Sequence, residues 1–219
     1  MARRRTSRRA WSRRQRAVLI GISLIGTALL VVLDRAVVAP NWPGAPTGRQ
    51  QTLADDQARY DGRTFSVVRV VDGDTLHLGA ADGTDETTKV RLIGVDAPEM
   101  GSDTGQRMYY ADEATAFARQ SALGRQVTLY LDQRAGSRDR YQRLLAYIQL
   151  PDGKFLNEEL LSEGFAYADV RFKHGYFQRY RQLEAGARAL DKGLWAHVRP
   201  EQMPAWRQKK QTEGTGDSD

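Results

Sequence analysis

The chain has 219 residues, 41% of them hydrophobic and 27% charged, which suits one globular domain of ordinary size with appendages. There is no cysteine, so disulfides and thiolate metal sites are excluded. The net charge of +6 is concentrated at one end: residues 1–16 hold eight arginines and no acid, and taking these away leaves −2 for residues 17–219. Anion binding in the body must therefore come from a few placed cations rather than a general basic field.

The arginine-rich stretch "MARRRTSRRAWSRRQR" abuts "AVLIGISLIGTALLVVL", which carries no charge. A spanning helix needs about 20 apolar residues, with roughly 17 as the lower end. Residues 17–38 are therefore predicted to form an N-terminal hydrophobic helix that lies in the membrane. The arginines would stay cytoplasmic, which places all that follows outside the cytoplasm. Two fates fit: a single-pass signal-anchor in the cell membrane, or a signal peptide cut after "AVVA", giving a secreted protein. A twin-arginine export signal and a nucleic-acid-binding arm fit this arrangement less well. Residues 39–60, with Pro40, Pro43 and Pro46, are predicted to be a semi-extended linker. The folded domain is expected over residues 61–199, and the polar residues 200–219 are expected to be a disordered tail.

Within the domain, "TFSVVRVV" and "DTLHLG" read as strands bent at Gly73. "TKVRLIGVD" (Thr88–Asp96), "QVTLYLD" (Gln126–Asp132) and "RLLAYIQL" (Arg143–Leu150) are three more. Helices are predicted at "YYADEATAFARQSAL", with Ala111, Ala114, Phe117 and Ala118 at helical spacing, at "NEELLSEGF" with Asn157 as N-cap, and at "YFQRYRQLEAGARAL". The predicted class is α+β: a five-stranded Greek-key barrel of the OB-fold type with three α-helices.

Four features sit where these strands end or bend: "DGDT" (Asp72–Thr75), Arg91, the pair Asp96 and Glu99 in "VDAPE", and "DRYQR" (Asp139–Arg143). Asp74 and Asp96 interrupt or end apolar strands. An unpaired carboxylate buried there costs several kcal/mol, so a cation must face it. Hard divalent cations are held by several oxygens at once. Ordinary turn chemistry explains "DG" and "DAP" one at a time but explains their joint occurrence poorly. Arg91 and Arg143 carry planar guanidinium groups that grip a phosphate through paired N–H bonds and stabilise added charge on phosphorus. Surface ion pairing is the plainer role for each arginine alone. Glu99 beside a metal would order or deprotonate a water.

The motifs "VVDGDTLHL", "VRLIGVDAPE", "DRYQRLLAYI", "DGKFLNEELLSEGFA" and "KGLW", in this order and spacing, resemble the staphylococcal nuclease-like (thermonuclease) family over residues 62–196. The resemblance implies an OB-fold and a calcium-dependent phosphodiesterase that cuts DNA and RNA. It makes Asp74 and Asp96 the Ca2+ carboxylates and adds the backbone carbonyl of Ala97. Glu99 would serve the attacking water, and Arg91 and Arg143 would hold the scissile phosphate. Asp72 would support the metal carboxylates from behind. Tyr141 and Phe172 would contact the nucleotide. Three positions depart from the family: Ala97 stands where threonine is frequent, Gln142 where glycine is, and Val170 where tyrosine is.

Other residues read as structural. His77 alternates with leucines and should face solvent; His174 and His197 are isolated near helix ends. Trp195 should pack the final helix on the barrel, and the Tyr109–Tyr110 pair should serve core packing. "RQKK" (Arg207–Lys210) should be solvated. The expected partners are nucleic acid and the membrane, with no obligate protein partner and a monomeric state. A non-catalytic OB-fold module that binds nucleic acid or protein at the membrane is the competing reading, and hydrolysis of another phosphodiester is a weaker one.

Overall fold

A computed structural model of the protein describes residues 52–101 and 107–214. The hydrophobic segment 17–38 and most of the linker lie outside the described residues. Among the described residues no helix is long and apolar enough to cross a membrane.

Five strands close into a barrel: β1 (Thr64–Val70), β2 (Thr75–Leu78), β3 (Thr88–Leu92), β5 (Gln126–Tyr130) and β6 (Leu144–Gln149). Their order is β1-β2-β3-β6-β5, with β5 returning to β1. Only β3 and β6 pair in parallel. This is the expected OB-type barrel, and each predicted barrel strand is present. Alternation explains it: Leu76, Leu78, Val90, Leu92, Val127, Leu129, Leu144 and Ile148 all point inward and are almost fully buried. Each such leucine contributes about 2 kcal/mol relative to exposure.

Two short strands, β4 (Val95–Asp96) and β7 (Tyr167–Ala168), pair antiparallel beside the barrel. The predicted strand Thr88–Asp96 therefore breaks in two. The break falls at Gly94, which takes φ +74°, and a β-carbon there would collide with the His174 imidazole. "DGDT" also differs from the expected mid-strand bend. It is the turn of the β1–β2 hairpin, closed by Val71 N–H donating to the Thr75 carbonyl at 2.9 Å. Gly73 is needed for close approach: a β-carbon there would lie 2.6 Å from Ala97 Cβ and 3.1 Å from Ala114 Cβ.

The chain builds more helix than expected. The α1 helix (Leu53–Tyr60) occupies what was read as linker. Thr52 caps it, accepting from Asp55 N–H at 3.2 Å while the Asp55 carboxylate accepts from Thr52 N–H at 3.2 Å. Its Asp56 is 1% exposed and takes two hydrogen bonds from Arg138, at 2.7 and 2.9 Å. Next come α2 (Ala111–Ala122), α3 (Leu156–Ser162) and α4 (Phe177–Ala189). Ala114 and Ala118 of α2 join the barrel core as their spacing predicts, together with Ala122, and Phe117 packs against it. The residues expected to form a disordered tail include a 3-10 turn at Pro200–Gln202 and a further helix, α5 (Ala205–Gly214). Trp195 is buried as expected, but in a second cluster with Tyr167, Leu194 and Met203 rather than in the barrel core.

Asn157 does not cap α3; Phe155 holds that position. Asn157 is instead fully buried. Its Oδ1 accepts from Ile148 N–H at 3.0 Å, and its Nδ2 donates to the Ile93 carbonyl at 3.0 Å. It thus pins the end of β3, just before the Gly94 turn, to β6. His174, read as isolated near a helix end, is buried. The Tyr147 hydroxyl donates to Asp132 Oδ2 at 2.6 Å and lies 3.0 Å from His174 Nδ1. The hydroxyl has one proton, so Nδ1 is the donor in that second pair.

Asn157→Ala should lower unfolding free energy by about 2–4 kcal/mol in urea titration, since it strands two buried backbone groups. Burial lowers the His174 pKa against the pull of Asp132 and Asp169. Burial would raise Asp132, but hydrogen bonds from Tyr147, Gly175 N–H and Arg134 N–H outweigh this and hold it below its ordinary value. Both groups bind protons more weakly when folded. Stability should therefore be full above about pH 6.5 and fall below it as the unfolded histidine protonates, with a second loss at or below about pH 4. Urea midpoints across this range check it, and His174→Gln should reduce the first decline, leaving the part due to His77, whose pKa is also lowered by burial and by Arg69 and Lys89.

Candidate active site

The β1–β2 turn, the end of β3 and the short β4 meet at one edge of the barrel. Asp74 is 2% exposed there. Its Oδ2 accepts from the Ala97 N–H at 2.6 Å and its Oδ1 from the Thr75 hydroxyl at 3.1 Å. Asp72 supports the turn, its Oδ1 accepting from Asp74 N–H at 3.0 Å. Burial pushes the Asp72 pKa up, with Arg91 pulling the other way.

Arg91 extends from β3 between two acids. Its Nη1 is pressed against Asp74 Oδ1 in an ion pair, and its Nη2 donates to Asp96 Oδ1 at 2.8 Å. Asp96 is 9% exposed and belongs to β4. The register of the turn explains the meeting: Leu92 N–H donates to the Asp74 carbonyl at 2.9 Å, which locks the hairpin turn to the end of β3.

Glu99 is exposed as a residue, yet it responds electrostatically to the same cluster. Loss of hydration around its carboxyl and the charge of Asp72 raise its pKa; Asp96 adds to this, while Arg91 and Arg143 oppose it. Raising a carboxylate toward neutrality makes it a better proton acceptor. Residues 102–106, which follow this turn, lie outside the described residues.

Arg143 arrives on the loop before β6. Asp139 organises that loop: one oxygen accepts from Tyr141 N–H at 2.8 Å and Arg143 N–H at 3.0 Å, the other from Arg143 Nε at 2.7 Å. Arg143 Nη1 reaches the Thr75 hydroxyl at 3.3 Å. Thr75 thus links Arg143 to Asp74. Tyr141 is 63% exposed, with its ring 5.5 Å from the Arg143 guanidinium. Phe172 is 66% exposed and lies beside Arg171, whose guanidinium is 5.7 Å from its ring.

Four contributors were not singled out from the sequence as parts of this site. Thr75 and Asp139 lie inside motifs noted for other residues, and the Asp139-x-Tyr141 turn pattern is legible. Arg171 Nη2 donates to Asp96 Oδ1 at 3.1 Å while pairing with Asp169 at 2.8 Å. Trp206, on the unexpected helix α5, donates its indole N–H to Asp96 Oδ2 at 2.8 Å. Arg207 of the same helix is not merely solvated: it pairs with Glu184 at 2.6 and 3.0 Å, and Glu184 accepts from Ala168 N–H of β7 at 3.0 Å. Proline at position 204 was the available hint of a helix start.

The donor set suits a hard divalent cation. Among the described residues no three acidic or imidazole side chains gather into a ready cage. Two buried carboxylates, Asp74 and Asp96, nevertheless converge on a single cationic group. A carboxylate offers about four lone-pair directions. Asp74 and Asp96 each spend three on the neighbours named above, so each keeps one. Backbone carbonyls and waters would complete such a shell, as hard cations accept.

Gln142 takes φ +63°, a left-handed conformation that disfavours side chains with a β-carbon. Its carbonyl accepts from Arg138 Nη1 at 3.0 Å, the same guanidinium that holds Asp56 and Asp82, so the turn is held in place from behind. Gln142→Gly should raise unfolding free energy by about 1 kcal/mol, read as a higher urea midpoint.

Comparison with known proteins places this geometry in context. The family described as Staphylococcal nuclease homologue matches residues 89–197. A thermonuclease of Staphylococcus hyicus is 31% identical over 175 residues, covering 80% of this chain and 95% of that protein. An uncharacterized endonuclease of Escherichia coli O157:H7 is 31% identical over 144 residues, 66% of this chain and 84% of its own. A thermonuclease of Staphylococcus intermedius is 39% identical over 107 residues, 49% of this chain and 60% of its own. With a closed OB-type barrel and near full-length similarity to a thermonuclease, the chain belongs to the family of staphylococcal nuclease homologues.

Proposed function

We propose that this chain is a calcium-dependent endonuclease that hydrolyses phosphodiester bonds of DNA and RNA outside the cytoplasm, as a monomer tethered by its N-terminal segment or released from it. The observation that carries the reading is the convergence of Asp74 and Asp96 on Arg91, with Arg143 joined to the same cluster through Thr75. Similarity to proteins named thermonuclease and endonuclease supports the reaction class. Eight arginines followed by an uncharged apolar stretch support the location.

Asp74, Asp96 and the Ala97 carbonyl would hold the metal. Calcium bound there supplies positive charge that polarises the phosphate and lowers the cost of forming hydroxide. Arg91 and Arg143 bind the non-bridging oxygens of the scissile phosphate and stabilise charge as phosphorus gains a fifth oxygen. Glu99 accepts a proton from the attacking water. Water oxygen bonds to phosphorus, the P–O5′ bond breaks with its electron pair going to O5′, and that oxygen takes a proton from solvent water and leaves as a hydroxyl. Asp139 keeps the Arg143 guanidinium aimed, and Thr75 limits its swing. Tyr141 and Phe172, both exposed, are placed to meet the sugar or base.

Plasmid incubated with the protein should be cut with calcium and left intact with chelator. Glu99→Gln and Arg143→Ala should each reduce cleavage by about a hundredfold or more, with little change in melting temperature. Full activity in both variants would refute the assignment. Oligonucleotide binding that persists in chelator, with no product under any metal, would favour the non-catalytic binding module.

A further inference from the structure

Trp206 also walls a concavity that Arg91 does not line. It has a volume of about 470 Å³ and is lined by α4 and α5, together with the Val170–Lys173 segment. That volume falls within the roughly 300–1,000 Å³ typical of sites for small-molecule-sized groups. Four cations face it: Lys173, Arg181, Arg188 and Arg207. The one acid in the lining, Glu184, is already committed to Arg207 and to the Ala168 N–H. Lys173, Arg181 and Arg188 have no ion-pair partner among the described residues. In a body whose net charge is −2 outside residues 1–16, this is a local concentration of positive charge.

Two aromatic rings share the lining, Phe177 and Trp206. Each has a cation above it: Lys173 Nζ is 4.1 Å from the Phe177 centroid and the Arg171 guanidinium 4.9 Å from that of Trp206. Alternating cations and π-faces match a chain that alternates phosphates and bases. The groove is also continuous with the candidate active site, because the indole that walls it donates to Asp96.

We propose that the groove between α4 and α5 is a second polynucleotide site. It holds the single-stranded segment next to the scissile phosphate, with Lys173, Arg181 and Arg188 on phosphates and Phe177 and Trp206 against bases. Unpaired bases are required, because a base inside a duplex offers no free face to stack. This rests on the nuclease reading given above. It adds a consequence of its own: the chain favours long single strands over dinucleotides by a margin set outside the bond-cleaving cluster.

The test uses the full-length protein and the double variant Lys173→Gln/Arg181→Gln. Both positions are exposed, and circular dichroism verifies the fold. Binding of a long phosphorothioate oligothymidylate, which resists hydrolysis, is measured in chelator at several salt concentrations. The variant should bind about tenfold more weakly, and the slope of log affinity against log salt should become shallower by about 1.4, about 0.7 per lost cation. Its kcat/KM on a dinucleotide should match that of the parent. Unchanged affinity and slope would overturn the groove assignment, whether or not the protein cuts. Weakened oligonucleotide binding in a protein that never cleaves would sustain the groove and refute the nuclease reading instead. Weakened binding to anionic vesicles, with oligonucleotide binding intact, would overturn the assignment in favour of a lipid surface.

Discussion

Two carboxylates held out of water, one on a hairpin turn and one on the adjacent short strand, repel each other and lose their hydration, and neither effect is tolerated without a cation between them. In this protein Arg91 meets that need, spanning Asp74 and Asp96 with its two terminal nitrogens. Removing one partner of such a buried pair costs about 3–5 kcal/mol, because the other charge is left stranded. The barrel edge is built around that constraint. The β1–β2 hairpin supplies one acid, β3 the arginine, and the strand after the Gly94 turn the other acid. In the proposed reading, the same edge takes a divalent ion and, with it, a phosphate.

The supporting elements serve this edge from several sides. Gly73 lets the hairpin turn press against Ala97 and Ala114. Asn157 ties Ile93 to Ile148, so the chain enters the Gly94 turn from a fixed point. Arg138 joins α1, through Asp56, to the carbonyl of Gln142 in the loop that carries Arg143. On the far side α5 reaches Asp96 twice. Trp206 bonds it directly, and Arg207 acts through Glu184 and β7, which pairs with β4. The N-terminal and C-terminal helices of the described region thus both bear on residues placed in the chemistry.

Barrel strands were legible in the sequence because their inward positions alternate and their ends carry turn residues. Asp74, Arg91 and Asp96 stood out because charge interrupts apolar strands there, and the structure brings those three side chains into contact. Other features were hidden for physical reasons. The α1 helix follows a proline-rich stretch whose composition masks the Thr52 cap. The α5 helix has little hydrophobic face, so periodicity is silent; its anchoring comes from Trp206 and Arg207, each bonded to a residue far away in sequence. Asn157 looked like a cap because asparagine prefers caps, but a buried amide able to satisfy a backbone donor and a backbone acceptor at once was worth more inside. Gln142 was flagged where glycine is frequent in the family, and its positive φ gives the physical reason for that preference.

The central claim is that Asp74 and Asp96 jointly hold one divalent cation, and calorimetric titration of the protein with calcium tests it without reference to cleavage. The account predicts a single site per chain, with affinity weakened at least about tenfold in Asp96→Asn, which keeps shape but removes charge. No calcium binding at all, or binding equally tight in Asp96→Asn, would contradict it.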